Sequence, residues 1–190
     1  MISLLLAALA CDDGATPPAA PLSRVDAVAA APAAPVDLDE FCEARPSPEA
    51  APAFAWPPVH GEAPPTTGRW TWVNVWATWC APCLAEMPTI VKWPDKLAGK
   101  GAAIDLRLLS VDEDAAVLAA FTKGHAEVAG SLHMVDGAQA TAWVQGMGLE
   151  VNPVLPLHVL VDPQGRTRCV RSGALDHAHI QAIEAVVKGG

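Results

Sequence analysis

The 190-residue sequence has no tyrosine, few basic residues and no long apolar run. It carries 12 Lys and Arg against 21 Asp and Glu, and the net charge of −9 gives no general electrostatic reason to bind nucleic acid. No apolar run reaches the ~18–20 residues that a membrane-spanning helix needs, which excludes a polytopic membrane protein. The length suits one domain of ordinary size plus a tail.

The first eleven residues have the pattern of an export signal. Residues 1–10 are mostly apolar and end in Ala8-Leu9-Ala10, a small-x-small triplet directly before Cys11. Such a cysteine is where a bacterial lipoprotein is cleaved and acylated, although Ala8 stands where these signals usually carry leucine. We therefore predict a signal peptide over residues 1–10 and a lipid anchor at Cys11, which would hold the protein to a bacterial membrane on the periplasmic side. The alternative is an ordinary export signal followed by an incidental cysteine.

Residues 12–68 are rich in alanine and proline, with 15 Ala and 12 Pro, and they hold nine acidic residues against two basic ones. Such a segment buries too little apolar area to offset the entropy lost on ordering. We predict a disordered acidic tether over residues 11–48 and a folded domain over residues 49–188. Phe54 and Trp56 are the first apolar anchors, and we expect them to lie against the edge of the domain.

From residue 69 onward, strand and helix patterns alternate. The predicted strands cover residues 69–77, 104–111, 131–135, 157–162 and 167–171. The predicted helices cover residues 81–97, 113–123, 138–145 and a last segment capped by Asp176. Pro88 is expected to kink the first helix, and Pro163-Gln164-Gly165 to form a tight turn between the last two strands. This order predicts an α/β domain with a sheet covered on both faces.

Cys80 and Cys83 form a Cys-Ala-Pro-Cys motif where the first predicted strand ends and the first helix begins. The unpaired amides and the dipole of a helix N-terminus stabilise a thiolate at Cys80. Cys83 follows one turn later on the same face, close enough to attack a mixed disulfide at Cys80. The motif therefore predicts thiol–disulfide exchange, in which Cys80 attacks and Cys83 resolves by forming a Cys80–Cys83 disulfide.

Other uses of a Cys-x-x-Cys pair fit this sequence less well. Attachment of a c-type haem requires histidine after the second cysteine, where Leu84 stands. A structural zinc site usually takes its ligands from a second such pair, which the sequence lacks, so we predict no metal site and no cofactor. The alternative function is a copper-handling or partner-binding module that uses the two thiols as ligands without redox turnover.

The surroundings of the motif resemble the active-site segment of the TlpA/ResA-like thioredoxin-fold family. The resembling segments are residues 73–88, 110–114, 155–166 and 172–175. The resemblance implies a thioredoxin fold with a central mixed sheet, helices on both faces and a TlpA-type insertion. It also implies an exported thiol–disulfide oxidoreductase acting on client protein thiols and disulfides. Within that family we expect a reductant of the cytochrome c maturation or copper-site assembly type, supplied by an upstream membrane redox donor.

The same resemblance implies roles for residues outside the motif. The Leu155–Pro156 bond is expected to be cis and to face the two cysteines, so that the backbone of Leu155 can pair with a substrate strand. Trp79, directly before Cys80, is expected to shield the disulfide and to contact the partner, whereas Trp76 is expected in the core.

The sequence offers two candidates for the proton acceptor of the exchange. Cytoplasmic thioredoxins carry a buried Asp six residues before the first cysteine, but here Asn74 stands there, and an amide cannot act as a base. Glu113 is the first candidate, with a solvated residue at a helix start as its alternative. His158 is the second, although a hydrogen-bonded core histidine is the commoner arrangement. Glu86 matches a position in the family's active-site helix, but an exposed helix carboxylate explains it equally well.

The remaining cysteines and histidines are not assigned to the site. Cys42 and Cys169 are left over after the motif and Cys11, and they form either a disulfide or two unpaired thiols. Four further histidines show no metal-ligand spacing and are expected at the surface: His125, His133, His177 and His179.

Overall fold

The structure, a computed structural model, describes residues 36–147 and 154–189, so the predicted signal peptide and Cys11 lie outside the described residues. The strands are β1 (Trp70–Trp76), β2 (Ile104–Ser110), β3 (Leu132–His133), β4 (Leu157–Val161) and β5 (Thr167–Ser172). The α-helices are α1 (Leu38–Phe41), α2 (Ala81–Ile90), α3 (Trp93–Ala98), α4 (Ala115–Thr122), α5 (Ala140–Gly146) and α6 (Ile180–Gly189). No helix in these two ranges is both long enough and apolar enough to cross a bilayer.

The five strands form one mixed sheet in the order β3-β2-β1-β4-β5. β1 pairs in parallel with β2, and β2 with β3, whereas β4 runs antiparallel to both β1 and β5. Every residue of β1 is buried, because this central strand is covered on both faces. That burial explains why the run from Trp70 to Trp76 shows no polar–apolar alternation. The predicted α/β architecture is confirmed.

The β4–β5 turn is held by one carboxylate. Asp162 Oδ1 accepts hydrogen bonds from the backbone N–H of Gln164 at 3.0 Å and of Arg166 at 2.9 Å. Gly165 adopts a positive φ of 76°, a conformation that glycine reaches without the clash other residues meet. The turn predicted at Pro163-Gln164-Gly165 is thus confirmed, with Asp162 as an additional anchor.

The helix predicted over residues 81–97 is in fact two helices. α2 continues through Pro88 to Ile90, and the chain turns at Val91 and Lys92 before α3. A kink was expected at Pro88, whereas the helix breaks after Ile90, and Pro94 at the start of α3 explains the position of this break. A proline disfavours helical backbone in the residue before it and suits the first turn of a new helix.

The chain before β1 packs along both edges of the sheet. Ala44 bridges Val170 on β5, and Phe54 N–H donates to Gly165 O at 2.8 Å, as expected for an anchor at the domain edge. At the opposite edge, His60 N–H donates to His133 O at 2.8 Å. These contacts satisfy backbone groups of strands that would otherwise be exposed. Residues 37–48, assigned to the tether from composition, include α1 and one half of a disulfide.

That disulfide joins Cys42 to Cys169 on β5, with 5.4 Å between the two Cα atoms. Both cysteines are buried, and 127 positions of sequence separate them. Of the two arrangements left open for these thiols, the structure shows the bridge. It closes most of the described chain into one loop.

Candidate active site

Cys80 and Cys83 lie at the amino end of α2, shortly after the end of β1. Cys80 is the N-cap residue of α2, and its Sγ accepts a hydrogen bond from Cys83 N–H at 3.3 Å. The two cysteines form a disulfide with a Cα–Cα distance of 5.3 Å. Cys83 is fully buried, whereas 5% of Cys80 is exposed. Of the two cysteines only Cys80 has any exposed surface, which fits the predicted division between attacking and resolving cysteine.

Trp79 stands next to the pair and is 68% exposed, the most exposed large apolar side chain of the described residues. It lines one side of an open groove of about 570 Å³, which Val117 and Leu155 also line. Glu113 lies in the same groove and is solvent-exposed. The groove thus brings together three of the predicted site residues: Trp79, Leu155 and Glu113.

The Leu155–Pro156 peptide bond is cis, as the family resemblance implies. Pro156 O accepts a hydrogen bond from Gly173 N–H at 2.8 Å, which fixes the loop before β4 against the end of β5. Within residues 36–147 and 154–189, the backbone N–H and C=O of Leu155 make no hydrogen bond.

Asp112 anchors the loop that carries Trp79 and Cys80. Its buried carboxylate accepts from Thr78 N–H at 3.1 Å, from Thr78 Oγ1 at 2.6 Å and from Ser110 Oγ at 2.7 Å. Sequence reasoning missed this residue and chose its neighbour Glu113. A signal was present, because an acid directly after a buried strand lies at the same sheet edge as the end of β1.

We expect Asp112→Asn to destabilise the active-site loop by about 2 kcal/mol, because hydrogen bonds to a charged acceptor are the strong ones. One amide oxygen cannot accept from the three donors, and the amide N–H₂ would face a donor. Thermal unfolding measures the loss, and the rate at which oxidised glutathione is captured by Cys80 should fall as well.

Asp114→Asn, two residues away, is the matched control for Asp112→Asn. Asp114 caps α4 by accepting from Ala116 N–H at 2.8 Å, and asparagine caps a helix as well as aspartate does. We expect its stability to be unchanged. Equal unfolding temperatures for the two variants would show that Asp112 does not hold the loop.

Glu86 of α2 and His158 of β4 are both buried, with 3% and 2% exposed. Glu86 Oε1 accepts from Asn74 Nδ2 at 2.8 Å, and Oε2 accepts from Leu175 N–H at 2.6 Å. The alternative interpretation of Glu86 as an exposed helix carboxylate is therefore wrong. Its place one turn after Cys83 on the buried face of α2 was the available signal. His158 is the hydrogen-bonded core histidine that was the commoner expectation.

Two further residues, Trp76 and His133, are both buried in the structure. Trp76 is buried as expected, and its Nε1–H donates to Ser131 Oγ at 3.2 Å. His133, expected at the surface, is instead buried, with Nε2 2.7 Å from Asp112 O and its ring stacked on His60 at 4.8 Å. The expectation failed because His133 lies on β3, whose outer edge is covered by the chain before β1.

Comparison with known proteins finds one relative in sequence and several in fold. No protein-family model matches the chain. A stretch of 57 residues is 46% identical to the thiol:disulfide interchange protein DsbE of Pseudomonas fluorescens biotype C. The match covers 28% of this chain and 30% of that protein, so it spans less than a third of the curated relative.

Two solved structures share the fold. A thiol:disulfide interchange protein of the thioredoxin family from Chlorobium tepidum TLS is 23% identical with a TM-score of 0.52, covering 77% of this chain and 97% of that one. A protein described as a thioredoxin from Neisseria meningitidis is 24% identical with a TM-score of 0.53, covering 74% and 91%. The chain has the thioredoxin fold, and the resemblance to thioredoxin-like thiol:disulfide interchange proteins is confirmed.

Proposed function

We propose that this thioredoxin-fold chain, related to thiol:disulfide interchange proteins, is a thiol–disulfide oxidoreductase that reduces client disulfides outside the cytoplasm. The observation that carries the proposal is the Cys80–Cys83 disulfide at the N-terminus of α2, with Cys83 fully buried and Cys80 5% exposed. A helix N-terminus stabilises the thiolate of the outer cysteine, which is the nucleophile of exchange.

The reaction has two steps. The Cys80 thiolate attacks one sulfur of the client disulfide, forming a mixed disulfide and releasing the other client sulfur as a thiolate. Cys83 then loses its proton and attacks Cys80 Sγ, which closes the Cys80–Cys83 disulfide and releases the second client thiolate. Two electrons pass from the cysteine pair to the client. An upstream dithiol donor, which we place in the membrane, must supply two electrons to reduce the pair again.

Proton transfer in the second step requires an acceptor inside the protein, because Cys83 is fully buried. Glu86 is the carboxylate on the same buried helix face, and residues three apart on a helix have Cβ atoms roughly 5–6 Å apart. We therefore propose that the Glu86 carboxylate accepts the proton that the Cys83 thiol loses. Glu113, the first candidate from sequence, is exposed in the groove, where its charge suits contact with a client.

The groove beside Trp79 is the proposed client site. An extended client segment can stack on the exposed indole and pair with the backbone of Leu155, next to cis Pro156. Strand-like pairing with the backbone gives affinity without demanding a particular sequence. This arrangement suits a reductant that handles unfolded client segments, such as apocytochrome or copper-site cysteines.

We place the protein on the periplasmic side of a bacterial membrane, anchored through an acylated Cys11. The buried Cys42–Cys169 disulfide supports this location, since structural disulfides form and persist in oxidising compartments. Mass spectrometry of the mature N-terminus tests the anchor: a diacylated or triacylated Cys11 is expected, and an unmodified cysteine would contradict it.

Capture of a client by Cys83→Ala tests the exchange mechanism. This variant retains the attacking cysteine but cannot resolve, so it should accumulate a mixed disulfide through Cys80 with an oxidised peptide that contains Cys-x-x-Cys-His. Non-reducing electrophoresis and mass spectrometry detect the adduct. Cys80→Ala is the matched control and should form none. Failure of Cys83→Ala to trap the peptide, or stable binding of one Cu(I) per wild-type chain without turnover, would contradict the proposal.

The direction of electron flow has its own measurement. Equilibration of the wild-type pair with dithiol buffers should give a reduction potential near the thioredoxin end of the known range, roughly −270 mV, and not near the oxidising end at about −120 mV. Trp79, adjacent to Cys80, makes fluorescence a suitable readout. A potential near the oxidising end would make the protein a disulfide donor.

A further inference from the structure

Behind the redox helix, four side chains of β1, α2 and β4 form a buried polar cluster: Trp72, Asn74, Glu86 and His158. Trp72 and Asn74 are fully buried, and the other two nearly so. Asn74 and His158 are direct partners in the β1–β4 register, so the sheet itself sets their separation. A polar cluster this deep in a core must be hydrogen-bonded to persist.

The contacts of the imidazole fix its tautomer. Trp72 Nε1 lies 3.2 Å from His158 Nδ1, and Asn74 Nδ2 lies 3.3 Å from the same atom. An indole nitrogen can only donate, so Nδ1 must be the unprotonated acceptor. The imidazole proton is therefore on Nε2, and an imidazolium would direct an N–H at two N–H donors. His158 is a neutral group at this site.

The protonated nitrogen faces the carboxylate of Glu86. His158 Nε2–H donates to Gly173 O at 3.2 Å, and Nε2 also lies 3.5 Å from Glu86 Oε2. Together with Asn74 Nδ2 and Leu175 N–H, it gives the carboxylate three N–H neighbours.

Other charged groups near the cluster are engaged elsewhere. Arg171 of β5 lies opposite His158 in the sheet, but its guanidinium donates to Phe41 O at 3.0 Å, stacks over the Phe41 ring and lies 3.3 Å from His179 Nε2. The residue of α3 that packs against the cluster is the uncharged Trp93, whose ring centroid lies 5.8 Å from that of Trp72. On α2, the remaining titratable groups are the two cysteines themselves.

We propose that His158 is a positioning residue of the redox site: as a neutral imidazole with its proton on Nε2, it holds the Glu86 carboxylate ready to accept the proton of Cys83. This inference rests on the exchange function proposed above. It assigns to His158 neither contact with the client nor direct proton transfer. The residue acts through Glu86, and it therefore affects the resolving step and not the capture of the client.

Stopped-flow mixing of reduced protein with oxidised glutathione separates these two steps. Capture by Cys80 scales with the glutathione concentration, whereas resolution by Cys83 does not. In His158→Met the Nε2 donor is lost, and protonated Glu86 gains relative to the carboxylate. We expect the acid limb of the resolution rate to move up by about one pH unit. Capture should be unchanged at every pH.

Two variants control this experiment. His158→Gln offers an amide N–H in place of Nε2–H and should restore the wild-type pH profile. His177→Met makes the same chemical change at an exposed histidine and should leave both phases unchanged. If His158→Met captures glutathione normally but resolves with the wild-type pH profile, the positioning role is wrong while the exchange function stands. If the wild-type protein shows no capture phase, the exchange function itself is wrong.

A measurement on the unaltered protein covers the case in which His158→Met does not fold. The ¹⁵N NMR shifts of histidine distinguish protonated from unprotonated ring nitrogens. Between about pH 6 and 8, where free histidine titrates, His158 should keep an unprotonated Nδ1 and a protonated Nε2. An imidazolium, or a proton on Nδ1, would overturn the proposal.

Discussion

Replacing Cys42 and Cys169 together by alanine should lower the free energy of unfolding by about 4–5 kcal/mol, the upper end of what one disulfide contributes. The bridge spans 127 positions, and removing a cross-link releases more chain entropy in the unfolded state when the loop is long. The chain before β1 would also lose its attachment to β5. Urea unfolding monitored by tryptophan fluorescence gives the change.

The Cys80→Ala/Cys83→Ala double variant is the matched control for that disulfide. It also removes one disulfide and two sulfurs, but the bridge spans only three positions, so a loss of about 2 kcal/mol or less is expected. The Cys42 and Cys169 variant should keep its ability to exchange thiols under mild conditions, because the redox pair is intact. Equal losses in the two variants would show that loop length does not govern the effect.

Substitution of Gly137 by alanine is expected to cost about 3 kcal/mol, the upper range for overpacking a closed site. A Cβ at Gly137 would overlap the backbone carbonyl of Val111, which has no side-chain freedom to yield. Val111 is itself held, since its N–H donates to Trp76 O at 2.9 Å. Both Gly137 and Val111 line the groove beside Trp79, so binding of client peptides should weaken as well.

Gly146→Ala supplies the comparison for Gly137→Ala. Gly146 lies in α5 with nothing within 4 Å of its would-be Cβ, and a glycine-to-alanine change in a helix is neutral or stabilising by up to about 1 kcal/mol. Thermal unfolding of both variants tests the steric argument. A Gly137→Ala protein as stable as Gly146→Ala would mean that the Val111 carbonyl can move aside.

Local sequence patterns were enough to predict the strands, helices and turns of this fold. The buried run of β1, the helical spacing after Cys80 and the Pro-Gln-Gly turn each depend on residues a few positions apart, and each was predicted close to its observed place. The position of the turn between α2 and α3 was missed because two prolines competed. Pro88 stayed within α2, while Pro94 began the next helix.

Polar residues were harder to place, because their burial depends on contacts that are distant in sequence. The sequence patterns favoured surface positions for Glu86 and His133, and they gave no role to Asp112. Glu86 is buried because Leu175, 89 positions later, donates to it. His133 is buried because the segment at His60 covers β3. No pattern over a few residues reports such contacts.

The sequence by itself determined that this chain carries a Cys-x-x-Cys pair at a strand–helix junction, since both the motif and the helix N-terminus are local properties of residues 73–88. Only the tertiary structure decided which cysteine is buried, which carboxylate lies behind it, and that Cys42 pairs with Cys169. The physical reason is that a buried charge or a long disulfide exists only where separate elements meet. The contacts between these elements are determined by the packing of α2 and β4 on β1.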